Sequence, residues 1–193
     1  MGADPTHSPT VLVLASGRGE RFLASGGKVH KLQALLNGKT VLENTLDAVR
    51  ASGLPWHLED AGHPGMGDSI AAAVRGVPDS NGWLILPGDL PLVRAETLCA
   101  VAASLRHSPI VVPVYATNGG LERGHPVGFS VLYRDQLMAL NGDKGAAHIL
   151  RQHEVKELLV DDPGAVSDVD TVDDLARLSG LYQPVVQRIT KAQ

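Results

Sequence analysis

Two spacings of apolar residues alternate along the chain, one typical of buried strands and the other of amphipathic helices. Short apolar runs predict strands at 11–15, 83–86 and 110–115, with weaker candidates at 127–132 and 155–160. Helical spacing predicts helices at 41–51, 68–75, 95–106 and 145–153. This alternation indicates an α/β fold, in which a mostly parallel sheet is flanked by helices. In such a sheet, ligands bind where loops converge beyond the carboxyl ends of the strands.

Composition and charge narrow the function classes. The chain has 193 residues, of which 44% are hydrophobic, which predicts one domain over 1–193 with a flexible tail at 1–9. A net charge of -4 gives no broad positive surface, so nucleic acid is not an expected partner. The longest apolar runs have the length of strands, and the start of the chain lacks the pattern of a signal peptide. We therefore expect a cytoplasmic protein with no membrane partner.

A glycine-rich loop follows the first predicted strand. Gly17 and Gly19 let the backbone approach a ligand closely, so that successive N–H groups point toward phosphate oxygens. The same short stretch carries four basic residues, Arg18, Arg21, Lys28 and Lys31. The loop is therefore either a polyphosphate cradle or a plain turn between a strand and a helix. A dinucleotide fold is disfavoured, because Phe22 stands where the third glycine of G-x-G-x-x-G belongs.

Acidic residues mark two further positions of interest. Asp89 comes shortly after the apolar run at 83–86, and Asp168 and Asp170 would point the same way in an extended segment. Hard oxygen ligands suit Mg²⁺, which commonly takes one or two carboxylates together with substrate phosphates. Thr171 and Asp174 have the spacing of a capping box, so a helix that begins just after Asp170 is a second explanation of the acidic cluster.

Three glycine-containing segments complete the set of candidates. The segment at 63–70 opens a predicted helix, with Asp68 as the expected N-cap, and its small residues would let it wrap a base or a ribose. The segments at 124–129 and 141–145 lead into a strand and a helix. The histidines lack H-E-x-x-H spacing, so a zinc hydrolase has little support.

Taken in order, the motifs VLASGRGERF, GMGDSI, PGDLPLV, RGHPVGF, GDKGA and DVDTVDDL resemble those of the MobA-like nucleotidyltransferases. The RGHPVGF segment makes the chain most similar to the molybdenum cofactor cytidylyltransferases, the MocA type. The resemblance implies a Rossmann-like three-layer α/β fold. It also implies Mg²⁺-dependent transfer of NMP from an NTP to a phosphorylated acceptor, with release of pyrophosphate. In the MocA type the donor is CTP and the acceptor is molybdopterin, and the product would be delivered to a molybdenum enzyme.

The resemblance also implies roles for individual residues. Arg21 and Lys31 would contact the phosphates, and Asp89 would serve catalysis by holding the metal together with Asp168, with Asp170 left open as an alternative. The implied nucleotide-binding residues are Leu14, Ala15, Ser16, Gly17, Arg18, Gly19, Met66, Ser69, Pro87 and Gly88. The implied acceptor-binding residues are His125, Pro126, Gly128, Asp143 and Gly145.

One interval departs from the family pattern. The family has a strand, a helix and another strand where this chain has only the short stretch at 52–66, so we expect a strand to be missing beside the nucleotide site. This feature favours a second hypothesis, a catalytically inactive nucleotide-binding chaperone or regulator of a molybdenum enzyme. A third hypothesis is an NAD(P)-linked oxidoreductase, against which Phe22 counts.

Overall fold

A seven-stranded sheet forms the centre of the computed structural model, which describes residues 8–181. Its strands are β1 (Thr10–Leu14), β4 (Trp56–Glu59), β5 (Gly82–Pro87), β6 (Ile110–Thr117), β7 (Gly120–Arg123), β8 (Val127–Ser130) and β9 (Lys156–Leu159). A separate two-stranded ladder joins β2 (Leu35–Leu36) to β3 (Lys39–Thr40). Apolar and β-branched residues dominate the central strands, as expected for strands that are covered on both faces.

Most strands of the sheet run in one direction. The strands β4, β1 and β5 are mutually parallel, and β9 is parallel to β6. The strand β8 is antiparallel to both β5 and β6, which places β6 in the same direction as β5, and β7 is antiparallel to β6. The predicted mostly parallel sheet is therefore confirmed, with β7 and β8 as its reversed strands.

Helices cover both faces of the sheet. They are α1 (Glu20–Ala24), α2 (Val41–Ser52), α3 (Met66–Gly76), α4 (Ala95–Ser104), α5 (Arg134–Met138), α6 (Ala147–Gln152) and α7 (Val172–Leu181). Val11 and Val13 of β1 pack with residues of α2 and α4, whereas Leu12 and Leu14 pack with residues of α3, α5 and α6. This alternation along one strand gives two buried layers and confirms the predicted three-layer arrangement.

The interval at 52–66 does contain a strand beside β1. Residues Trp56–Glu59 form β4, which pairs in parallel with Val11–Leu14. One strand of the family pattern is therefore present at this edge of β1, whereas residues 53–65, all of which the structure describes, contain neither a second strand nor a helix. The sequence did not predict β4 because it is short and its residues are not uniformly apolar; Trp56 is 40% exposed at the edge of the sheet.

Two predicted helices begin at other residues than expected. Helix α3 begins at Met66 with Gly65 as its N-cap, so Asp68 is not the cap; its carboxylate instead accepts a hydrogen bond from the backbone N–H of Gly142. Helix α6 begins at Ala147, because Gly145 has a left-handed φ of 51° that a helix does not accommodate.

The ends of the chain add two facts. Residues 1–7 of the predicted tail lie outside the described residues, and Pro9 is buried beside Gly82. Between residues 8 and 181, no helix has both the length and the apolar character that crossing a bilayer requires.

Candidate functional site

A cavity of about 540 Å³ opens at the carboxyl ends of β1 and β5. We call it the glycine-loop cavity. It brings together thirteen of the residues singled out in the sequence, Leu14, Ser16, Gly17, Arg18, Gly19, Arg21, Lys31, Met66, Ser69, Pro87, Gly88, Asp89 and Asp143. Parallel strands end at the same edge of a sheet, so segments far apart in the sequence meet there.

The glycine loop has a defined shape. Gly19 adopts a left-handed φ of 64°, and a side chain there would meet the ring of His30 at 3.1 Å. The His30 Nε2 atom lies 2.6 Å from the carbonyl oxygen of Gly17, while its Nδ1 accepts a hydrogen bond from the N–H of Leu32. Because Nδ1 is an acceptor, Nε2 carries the proton and donates it to Gly17, which braces the loop against the segment that carries Lys31.

Opposite charges meet at the mouth of this loop. The Lys31 ammonium group donates to Asp89 Oδ2 at 2.5 Å and to Asp170 Oδ1 at 3.0 Å. Arg21 lies on α1, and its guanidinium is 2.6 Å from the other oxygen of Asp170. Two cations and two carboxylates therefore form a continuous network at the cavity wall.

The position of Lys31 favours its charged form. Burial lowers the pKa of the ammonium group, but the attraction and hydrogen bonds of Asp89 and Asp170 outweigh burial, so the pKa is raised above 10.5. Lys31 is consequently a permanent positive charge whose side chain is only 14% exposed. An ammonium group in this position is suited to an anionic partner, either a carboxylate or a phosphate oxygen.

Backbone hydrogen bonds hold Asp89 at the end of β5. The N–H of Gly88 donates to the carbonyl of Leu14 at 2.9 Å, and the hydroxyl of Thr45 donates to the carbonyl of Gly88 at 3.0 Å. On the other side, the N–H of Val169 donates to the carbonyl of Asp89 at 3.0 Å. Asp89 is thereby tied both to the glycine loop and to the segment that carries Asp168 and Asp170.

Asp89, Asp168 and Asp170 form the candidate metal centre. One carboxylate oxygen of each lies within 4.8 Å of the others, and Oδ1 of Asp89 is buried without a hydrogen-bond partner. Burial and the nearby charges of Asp170 and Asp89 raise the pKa of Asp168. An unpartnered buried oxygen and mutual repulsion of carboxylates both fit a divalent cation, and an all-oxygen donor set suits Mg²⁺ or Mn²⁺.

Helix α3 forms the wall of the glycine-loop cavity opposite the carboxylates. Met66 and Ser69 face the cavity from the first turn, and the Ser69 hydroxyl is hydrogen-bonded to the hydroxyl of Ser16 in the glycine loop. The segment before the helix is shaped by the buried carboxylate of Glu59, which accepts from His63 Nε2 at 3.0 Å and from the N–H of Ala61 at 3.2 Å. His63 thus lines the cavity in a fixed orientation.

Several residues assigned by resemblance lie outside the cavity lining. Gly128 is in the middle of β8 and packs against Val101 of α4, where a side chain would approach to 2.9 Å. Pro126 is buried, and the His125 ring is enclosed so that burial lowers its pKa, with a partly opposing effect from a hydrogen bond to Ile85. The other residues outside the lining are Ala15, Gly145 and Asp168.

Some residues of the site were missed in the sequence. His30 and Glu59 act through contacts with Gly17 and His63, and neither belongs to a recognisable motif. Asp170 was considered only as an alternative metal ligand, although it pairs with both Arg21 and Lys31. The alternation of Asp168 and Asp170 around Val169 indicated a shared direction, but the ion pairs of Asp170 with Arg21 and Lys31 join distant segments and have no local signal.

The chemical capacity of the site follows from this arrangement. Backbone N–H groups of a glycine loop, together with Arg21 and Lys31, suit a polyphosphate. Asp89 and Asp170 in the cavity lining, together with Asp168 beside them, suit a divalent cation that would neutralise phosphate charge. The two serines of the lining, Ser16 and Ser69, are hydrogen-bonded to each other, and His63 is bonded to Glu59. Phosphoryl-type transfer requires no side-chain nucleophile.

Comparisons with known proteins point in the same direction. The model of the MobA-like NTP transferase domain matches residues 48–157. The bifunctional protein GlmU of Xanthobacter autotrophicus is 31% identical over 170 residues, which cover 73% of this chain and 36% of GlmU. The chain therefore spans about a third of the length of the curated relatives that it matches.

Solved structures resemble nearly the whole chain. The crystal structure of Rv0371c from Mycobacterium tuberculosis has a TM-score of 0.74 and 29% sequence identity, and the match covers 90% of this chain and 97% of that one. A complex of Rv0371c with manganese matches with a TM-score of 0.70 and 27% identity, over 91% of this chain and 100% of that one.

Proposed function

This chain belongs to the family of MobA-like NTP transferase domains, and from that premise we propose that it is a metal-dependent nucleotidyltransferase. The reaction transfers NMP from an NTP to the phosphate of an acceptor. A bond forms between an acceptor phosphate oxygen and the α-phosphorus of the NTP, the bond from that phosphorus to the bridging oxygen breaks, and pyrophosphate leaves.

The network of Lys31, Asp89, Asp170 and Arg21 is the observation that carries the proposal. It places two cations and two carboxylates at the mouth of a glycine loop. Phosphoryl-type transfer depends mainly on positioning and on neutralising charge, rather than on covalent chemistry by the protein. This network supplies cations for the phosphates and carboxylates for a metal within one cavity.

Each residue has a distinct task in this proposal. The backbone of residues 16–19 binds the phosphates, while Arg21 and Lys31 leave Asp170 and neutralise charge that grows on the α-phosphate and on the departing pyrophosphate. Asp89 and Asp168 would hold the metal, and Asp170 could supply a third oxygen. A bound divalent cation supplies electrostatic stabilisation of the phosphate oxygens. Met66 and Ser69 face the base and ribose.

For the specific substrates and metal of this reaction, we propose CTP as donor, molybdopterin as acceptor and Mg²⁺ as cofactor. This assignment is supported by the RGHPVGF segment at 123–129, which favours the MocA type. Asp143 lines the glycine-loop cavity from the far side, so it is the residue of the assigned acceptor set with direct access to the reacting phosphate. Transfer of the product to a molybdenum enzyme belongs to the same proposal.

Two other hypotheses lose their main support. The inactive chaperone or regulator rested on the short interval at 52–66, but β4 occupies that interval and contributes a hydrogen bond from Ala15 to Glu59. The NAD(P)-linked oxidoreductase requires a glycine where Phe22 stands. Phe22 is 2% exposed and anchors α1 in a cluster with Leu32 and Leu36.

Pyrophosphate release tests the proposal. The purified chain is incubated with CTP, GTP or ATP, with Mg²⁺ or with EDTA, and with molybdopterin or a sugar phosphate as acceptor. We expect metal-dependent release that requires CTP and molybdopterin. Metal-dependent release with another combination of nucleotide and acceptor would support the reaction type but contradict the substrates proposed. If no combination gives metal-dependent release, nucleotidyl transfer to these acceptors is wrong.

A further inference from the structure

A second cavity, of about 650 Å³, lies beside helix α6. We call it the α6 cavity, and its polar lining includes Gln136, Asn141, Asp143, Lys144, His148 and Arg151. His148 and Arg151 are three residues apart on α6, so they are neighbours on one face of the helix. Lys144 approaches from the loop that precedes it.

The cations of the α6 cavity have no acidic partner among residues 8–181. Lys144 and Arg151 lie beyond ion-pair distance of every described carboxylate, whereas Arg21 and Lys31 in the glycine-loop cavity are both paired. Asp143 also lines the α6 cavity but forms an ion pair with neither cation, so the two unpaired positive side chains outnumber the one carboxylate. Such a lining is suited to an oxyanion ligand, because a charged donor gains most from a charged acceptor.

The two cavities share a wall. Asp143 lines both of them, and the residues on either side of it turn toward the α6 cavity. A ligand whose reacting phosphate lies near Asp89 could therefore extend past Asp143 toward Lys144 and Arg151.

The wall is fixed to helix α3. The N–H of Gly67 donates to the carbonyl of Gly142 at 2.7 Å, and the N–H of Gly142 donates to Asp68 at 2.9 Å. The backbones are so close that a side chain on Gly65 would come within 2.4 Å of Gly142. The start of α3, which faces the nucleotide, and the segment at 141–145 therefore keep a constant separation.

We infer that the α6 cavity binds a second anionic group of the acceptor. This inference rests on the proposed function and extends it by naming a substrate class. The acceptor would carry one phosphate that attacks in the glycine-loop cavity and a further oxyanion held by Lys144, His148 and Arg151. Molybdopterin belongs to this class in its molybdenum-bearing form, in which oxygens bound to molybdenum would be the second anionic group.

Amide NMR of the full chain, titrated with inorganic phosphate at constant ionic strength, tests this site directly. We expect saturable shifts at amides of residues 141–151. In a Lys144→Gln and Arg151→Gln double variant, the apparent dissociation constant at those amides should rise about tenfold or more, as expected from the loss of hydrogen bonds to a charged group. An Arg106→Gln and Lys156→Gln variant removes the same charge elsewhere and should bind as the wild type does.

The outcomes separate this inference from the proposed function. If phosphate gives no saturable shift at 141–151, or if the double variant and its control bind equally, the anion site is wrong. If Mg²⁺ with CTP shifts the amides of residues 15–19 in the same sample, nucleotide binding is supported whether or not phosphate binds at 141–151. To connect the site with the acceptor, 3-phosphoglycerate should compete with phosphate at 141–151 more strongly than glycerol 3-phosphate does, and equal competition would contradict the second anionic group.

Discussion

At the residue scale, Lys31 can interact with two kinds of partner, the carboxylates of the candidate metal centre and the phosphates of a nucleotide. In this structure its ammonium group is bound to Asp89 and Asp170, which are also members of the candidate metal centre. A divalent cation at these carboxylates would compete with Lys31 and leave its charge available to a phosphate. Lys31 would then keep a negatively charged partner, because phosphate oxygens would replace the carboxylates that raise its pKa in this structure.

Replacement of Lys31 should therefore have opposite effects on two ligands. Lys31→Ala should weaken NTP binding in Mg²⁺ about tenfold or more, because one charged contact is lost, and should strengthen binding of Mn²⁺ alone, because a competing cation is gone. Titration calorimetry measures both constants. Lys28→Ala is the matched control, since Lys28 is exposed and lies outside the cavity. Equal losses in the two variants would contradict the role of Lys31.

At the element scale, the start of α3 fits closely against the segment at 141–145. Gly67 is buried, and a side chain there would lie 2.7 Å from the carbonyl oxygen of Asn141. Since backbone rather than a flexible side chain is in the way, any substituent must displace one of the two segments.

Gly67→Ala should destabilise the protein by about 1–3 kcal/mol, the usual cost of forcing an extra group into a packed site. It should also raise KM for both donor and acceptor, because the wall between the two cavities moves. Chemical denaturation and initial rates measure these effects. Gly62→Ala tests the same substitution in open space, where nothing lies within 4 Å. If Gly67→Ala and Gly62→Ala have the same free energy of unfolding and the same KM values, the close contact between α3 and the segment at 141–145 contributes to neither stability nor substrate binding.

Helix α7 begins with the predicted capping box. The N–H of Asp174 donates to the Thr171 hydroxyl oxygen at 3.2 Å, and the N–H of Thr171 donates to Asp174 at 2.9 Å. Burial raises the pKa of Asp174, but hydrogen bonds from Thr171, Arg177 and Asp170 outweigh it and hold the pKa below 3.8. A lowered pKa in the folded state contributes stability above the unfolded value that is lost on acidification.

Asp174→Asn should accordingly reduce the acid sensitivity of the fold. The thermal midpoint of the wild type should fall more steeply than that of the variant as the pH drops from about 5 to about 2, through the unfolded and then the lower folded pKa of Asp174, because only the wild type loses a favourably placed carboxylate. Asp173→Asn is the comparison, since Asp173 is exposed in the same turn. Parallel pH curves for the wild type and Asp174→Asn would refute the contribution.

Element types followed from the sequence wherever the apolar pattern was long. The runs at 11–15, 83–86 and 110–115 became β1, β5 and β6, because buried strands require such residues. Short or partly exposed elements were not predicted from the sequence. Strand β7 is exposed along its length, and α1 has only Phe22 as a buried residue. Their positions depend on contacts with distant segments, which a local pattern does not contain.

At the scale of the whole molecule, the site depends on a late segment that returns to the sheet. Asp162 is 2% exposed and accepts hydrogen bonds from the N–H of Arg94, the hydroxyl of Thr97 and the N–H of Gly164. It thereby fixes the segment before Asp168 to the start of α4. Asp89 and Asp168 can share a metal because this connection holds.

Asp162→Ala should lower the free energy of unfolding by about 3 kcal/mol, since buried donors would be left without an acceptor. It should also weaken Mn²⁺ binding, although Asp162 is not a candidate ligand. Urea denaturation and metal titration measure the two effects. Asp161→Ala removes an exposed neighbouring carboxylate and should change stability by less than about 0.5 kcal/mol. An intact metal affinity in folded Asp162→Ala would contradict the positioning role.

Motif order predicted which segments belong to the site, and topology determined which residues touch. The segments at 14–21, 66–69 and 87–89 were assigned from the sequence and meet in one cavity. The pairing of Lys31 with Asp170 spans 139 positions, and the enclosure of Gly128 behind α4 depends on three strands. Neither contact can be read from local spacing.

Metal-dependent NTP binding tests most directly whether the glycine-loop cavity binds an NTP together with a metal held by Asp89. Calorimetry with CTP, GTP and ATP, in Mg²⁺ and in EDTA, is performed on the wild type and on Asp89→Asn. We expect Mg²⁺-dependent binding with a preference for CTP, and loss of the Mg²⁺ dependence in the folded variant. Binding of no NTP in Mg²⁺, or an Asp89→Asn variant with the same Mg²⁺ dependence as the wild type, would contradict this expectation.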